Sequence, residues 1–94
     1  MSIYKKMEEI TVFHNSTINC VKEIIAQHKI ETDKMKRDFA IAINSFYDKL
    51  RKQEEELRLL AADELDENMV HNFIFDVIEH YYSKYEEFLD YCMN

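Results

Sequence analysis

Residues 33–60 read DKMKRDFAIAINSFYDKLRKQEEELRLL. Apolar side chains recur every three or four positions, at Met35, Phe39, Ala42, Phe46, Leu50, Leu57 and Leu60, with Gln53 as a polar gap in the row. That spacing returns to one side of an α-helix and to neither face of a β-strand. The opposite side is charged, and acid–base pairs stand four apart with the acid first: Asp33 with Arg37, Asp48 with Lys52 and Glu54 with Arg58. Each pair contributes only about 0.2–0.5 kcal/mol, yet together they mark a solvated surface. The stretch predicts an amphipathic helix with a buried seam and a wet back.

The rest of the chain agrees with it by what it lacks. Average usage of about 7% glycine and 5% proline would put roughly six and five of them in 94 residues, and there are none. Hairpin turns and many helix ends depend on glycine for positive φ, and nothing here interrupts a helix as proline would. Phosphate-cradling loops and dinucleotide fingerprints, which need glycine for close backbone approach, are excluded as well. The fold class is therefore all-α.

Two further helices follow from the same spacing. On the N-terminal side, Ile3, Met7, Ile10, Ile18, Val21, Ile25 and His28 share one face of a helix from about Ile3 to Ile30. Its middle, His14-Asn15-Ser16-Thr17, is polar and contains N-cap residue types, so the helix either restarts there or continues through a weak turn. Between Lys29 and Lys34 no breaker separates the first two segments; Thr32 or Asp33 is the expected cap, and one helix across residues 3–60 is the alternative. On the C-terminal side, Val70, Ile74, Val77, Tyr81, Tyr85, Phe88 and Cys92 form the seam of a helix from about Glu64 to Cys92, capped by Asp63 or Asp66. Residues 1–94 are thus expected to form a single domain, an antiparallel three-helix bundle. A long helical hairpin that completes its core by dimerising is the alternative.

The net charge of −7 is unevenly spread. Residues 1–30 hold four bases and three acids, residues 31–62 hold seven of each, and residues 63–94 hold nine acids against Lys84 alone. The last third also holds seven of the twelve aromatics. On a helix turning about 100° per residue, Asp76, Glu79, Glu86, Glu87 and Asp90 fall in one acidic stripe. Phe75 and Tyr82 lie on one edge of it, Phe73 and Tyr91 on the other. A helix between two bundle neighbours would bury both edges and leave the acids merely solvated. Alternatively, the stripe is a docking face, on which Tyr82 and Phe75 anchor and the carboxylates steer a basic partner.

Other functions find little support. The acidic balance and the lack of a basic patch with interleaved aromatics disfavour direct nucleic-acid binding, and anionic membranes are disfavoured for the same reason. No apolar run approaches the roughly 20 residues of a membrane span. Residues 1–9 lack the apolar core of a secretory signal, so a cytoplasmic location is expected, with Cys20 and Cys92 reduced rather than bridged. His14 and His28, 14 positions apart on one helix, are about 21 Å from each other and cannot share a metal; both are expected as hydrogen-bonded core or interface histidines. Glu67 with His71 and Asp76 with His80 make carboxylate–histidine pairs, but a metal site needs three or four ligands. No nucleophile–base pair or glycine-rich loop suggests an enzyme, and no cofactor is expected. The expected function is protein binding: a small acidic inhibitor or immunity-type module that occludes the basic surface of a toxin, nuclease or DNA-binding protein through Phe75, Asp76, Glu79, Tyr82, Glu86, Glu87 and Asp90. The alternative is a structural or chaperone-like subunit that forms a homodimer or packs against a client helix.

Overall fold

The computed structural model describes residues 2–27 and 30–93. Helix α1 spans Ile3–Ala26 and α2 spans Asp33–Leu60. The third helical stretch begins as α3 (Glu64–Phe73), widens through a π-type turn at Ile74–Ile78 and continues as α4 (Glu79–Met93). Among the described residues there is no strand, and no helix is long and apolar enough to cross a membrane. The helices pack into a rod 50 × 20 × 18 Å around one cluster of buried side chains drawn from all three stretches.

The first two segments are separate helices. Ser2 opens α1 by accepting the amide of Lys5 at 3.1 Å, and the helix then runs unbroken through His14–Thr17. The hydroxyls of Thr11 and Thr17 fold back to donate to Met7 O and Phe13 O, which removes the competition that polar residues offer a helix interior. Thr32 caps α2 through the amide of Met35, and Asp63 caps α3 through the amide of Asp66 at 2.8 Å. Asp66 in turn accepts Ala62 N–H at 3.2 Å, so two acids three apart fix the entry into the third helix between them. The capping residues Gln27, Thr32, Ala61 and Asp63 all have negative φ, as a chain without glycine requires. Ile30, just before α2, is buried.

The seams differ in places from the expected ones. In α2 the core positions are Ile43, Leu50 and Leu57, with Gln53 buried among them, whereas Met35 and Ala42 are exposed. Ile43, Phe46, Leu50, Gln53, Leu57 and Leu60 keep a strict alternation of three and four, the narrow stripe of a helix gripped between two neighbours. In the third stretch Ile78 is fully buried while Val77 and Cys92 are only half-buried. In α1, Lys6 takes a core position beside the expected Met7; its stem is covered and its ammonium pairs with the Glu56 carboxylate on α2. On the wet back of α2, Glu54 pairs with Arg58 at 3.4 Å as expected, but Asp48 takes Arg51 instead of Lys52. His28 lies outside the described residues. Cys20 is exposed, Cys92 is half-buried, and both are free.

Cross-helix pairs set how the three stretches lie together. Lys6 meets Glu56, and Phe13 meets Phe46, while Lys49 sits 4.0 Å over the Phe13 ring. Between α2 and α4, Phe46 faces Tyr85, Tyr47 faces Tyr82, and Glu54 meets Tyr82.

Candidate functional site

The third helical stretch presents the acidic stripe to solvent. Asp76, Glu79, Glu86, Glu87 and Asp90 are all exposed, and Phe75 beside them is 71% exposed. Of these carboxylates, Glu87 is paired with Lys84 at 3.3 Å. Several neighbours three or four apart carry like charge: Asp76 with Glu79, Glu86 with Asp90, Glu87 with Asp90. Each such pair costs the helix a few tenths of a kcal/mol. Solubility alone would not require this concentration on one helix, since charges spread over three helices serve it as well.

Tyr82, expected as an anchor on this surface, belongs instead to the interior edge of the bundle. It is half-buried, its ring lies 4.8 Å from that of Tyr47, and its hydroxyl donates to Glu54 Oε1 at 3.2 Å. Burial, reinforced by the negative charge of Glu54, pushes its phenol well above the usual tyrosine range. Phe73 is likewise half-buried against the core, and Tyr91 is 39% exposed on the far edge. The surface that remains is five carboxylates with Phe75 as its most exposed aromatic.

Beneath that surface lies a buried polar cluster, one side chain from each helical stretch. His14 is fully buried, with Nδ1 2.5 Å from Tyr85 Oη and Nε2 2.7 Å from Gln53 Oε1. The amide oxygen of Gln53 accepts, so Nε2 carries the proton and Nδ1 receives the hydroxyl of Tyr85: a neutral imidazole satisfies every partner. Burial lowers the His14 pKa, Gln53 opposes that shift, and the nearby Lys49 charge adds to it. The ring also stacks on Tyr81, whose hydroxyl donates to Asn15 Oδ1 at 3.0 Å. No buried side-chain nitrogen or oxygen among the described residues is left without a partner. The signal for this cluster was present as three polar-capable residues at seam positions, of which the Gln53 gap is the plainest.

A second surface was not visible in the sequence. On the outer side of the α1–α2 pair runs an apolar groove of about 580 Å³, walled by half-buried Phe13, Ile24, Phe39 and Phe46. Exposed Val12, Ser16, Cys20 and Ala42 line it as well. It exists because the third stretch covers only one side of the pair.

No protein-family model, curated protein or solved structure matches the chain. The surfaces must therefore be read from their chemistry. Among the described residues no three His, Cys, Asp or Glu side chains gather into a group that could hold a metal. His71 and His80 are exposed, each on a single helix face with its carboxylate neighbour.

Proposed function

We propose that the chain is a non-catalytic protein-binding module whose acidic third-helix face docks onto a basic surface of another protein, in the manner of an inhibitor or immunity-type protein that blocks a toxin, nuclease or DNA-binding protein. The observation that carries this reading is the exposed row Asp76, Glu79, Glu86, Glu87 and Asp90 in a segment whose sole base is Lys84. Such a field accelerates encounter with a positively charged surface and penalises acidic competitors. Phe75, 71% exposed at the edge of the row, supplies the apolar anchor that carboxylates alone lack.

The test is affinity capture from the native host at low and high salt, comparing the wild type with a Glu79→Lys/Glu86→Lys variant. The expected result is a basic partner whose retention weakens with salt and is lost with the variant. A variant that captures the same protein undiminished overturns the reading. The apolar α1–α2 groove favours, as a second reading, a helical subunit that associates through its own apolar surface.

A further inference from the structure

The geometry points to the outer face of the α1–α2 pair as a two-fold interface with a second copy of this chain. A two-fold contact uses the same patch on both partners, so that patch must contain both projections and recesses. This one does. Val12 stands on the α1 side of the groove, 60% exposed, and Ile41 stands on the α2 face 68% exposed, next to the groove-lining Ala42. Between the helices the groove includes the small side chains of Ser16, Cys20 and Ala42, which leave room for a neighbour's methyl groups.

Charge selects the second copy as the occupant of this face. Residues 63–94 carry nine acids against one base, so two copies meeting through their third stretches would bring like charge together. Residues 1–62 carry eleven bases and ten acids, and the polar hollow beside the groove mixes both signs, with exposed Lys49 and Lys52 among exposed Glu9 and Asp48. A patch containing both signs can pair with its own rotated image. Two chains joined there leave their acidic third stretches out of the contact, because the groove is lined by residues of α1 and α2. The rod, 50 Å long and 20 Å wide, sets a ceiling of about 1,000 Å² on a contact along one side, which leaves room for the roughly 800 Å² per partner of a standard interface.

The inference does not rest on the acidic-face reading, because different residues break each. Sedimentation equilibrium of the full chain from about 1 μM to about 1 mM should show the 11.4 kDa species doubling in mass as concentration rises. Ala42→Glu places a carboxylate in the groove at an exposed position and should hold the protein at single-chain mass, with its helical circular dichroism unchanged. Glu79→Lys should leave the doubling intact. On the wild type, alkylation of the exposed Cys20 thiol should slow about tenfold at concentrations where 90% of chains are paired. A wild type that keeps single-chain mass throughout, an Ala42→Glu protein that pairs as strongly as wild type, or a Cys20 whose reactivity ignores concentration would each overturn the inference.

Discussion

His14 Nδ1 lies 2.5 Å from Tyr85 Oη, across 71 positions of sequence, and the opposite ring nitrogen reaches Gln53. Apolar seams alone allow helices to slide or rotate past one another, since one methyl group substitutes for another. A buried imidazole with two directional partners tolerates far fewer arrangements, because every misaligned one leaves a polar group unsatisfied. The cluster draws one residue from each helical stretch, so it fixes the register of all three at once.

Removing either partner should expose that role. Tyr85→Phe leaves Nδ1 without a donor, and Gln53→Leu leaves the Nε2 proton without an acceptor; each should cost about 1–3 kcal/mol in urea denaturation. The two sites act on one ring, so their effects should not add in the double variant. A double variant whose loss equals the sum of the single losses would show that the three residues do not act as a unit.

The same ring makes stability depend on pH. Burial holds His14 below the ordinary histidine value of about 6.5, so the unfolded chain takes up a proton that the folded chain refuses. The stabilisation is fully present above that value and declines as pH falls through it towards the depressed folded value. The slope attributable to this one site is at most about 1.4 kcal/mol per pH unit. Urea midpoints measured at pH 7.5 and 5.5 should therefore fall for the wild type. His14→Gln should begin less stable and lose most of that slope. An equal slope in both proteins would assign it to other groups.

Seam placement shows what could be read from the sequence. Helix type followed from spacing and from the missing glycine and proline, and residue type narrowed each cap to two candidates, Thr32 or Asp33 and Asp63 or Asp66, of which packing uses Thr32 and Asp63. The rotation of each helix about its axis did not, because α2 carries apolar residues on more than one face: Phe39, Ile41, Ala42, Ile43 and Phe46 compete within two turns. Only a neighbouring helix decides which of them are covered, and here it covers Ile43 completely and leaves Ile41 68% exposed. Ile43→Ala should thus cost about 2–5 kcal/mol as a core truncation, whereas Met35→Ala, at a position the spacing placed in the seam, should stay within about 0.5 kcal/mol. The same ambiguity hid the groove, which is built from the apolar residues of α1 and α2 that the third stretch does not reach.

Caps offer a smaller, cleaner test. Asp63 and Asp66 hold the entry to the third helix through the amides of Asp66 and Ala62, with no glycine to relieve the turn. Asp63→Ala should cost about 1 kcal/mol, and Asp63→Asn should recover most of it, since an amide oxygen caps as well as a carboxylate. A cost that persists in Asp63→Asn would point to the negative charge at the helix N-terminus rather than to the hydrogen bond.

Tyr82 and Phe75 separate binding from folding on the acidic face. By angle alone both sit on the same edge of the third helix, and the sequence offers no reason to treat them differently. Packing does: Tyr82 is held by the Tyr47 ring and the Glu54 carboxylate, whereas Phe75 projects into solvent from the π-type turn. Tyr82→Ala should therefore lower the urea midpoint, because it opens a gap between α2 and α4 and frees Glu54 from a half-buried contact. Phe75→Ala should leave the midpoint unchanged and weaken partner retention by 1 kcal/mol or more, about fivefold in affinity, if the aromatic anchors the complex. Loss of retention in Tyr82→Ala without any loss of stability would return that tyrosine to the binding surface, and a stability loss in Phe75→Ala would remove Phe75 from it.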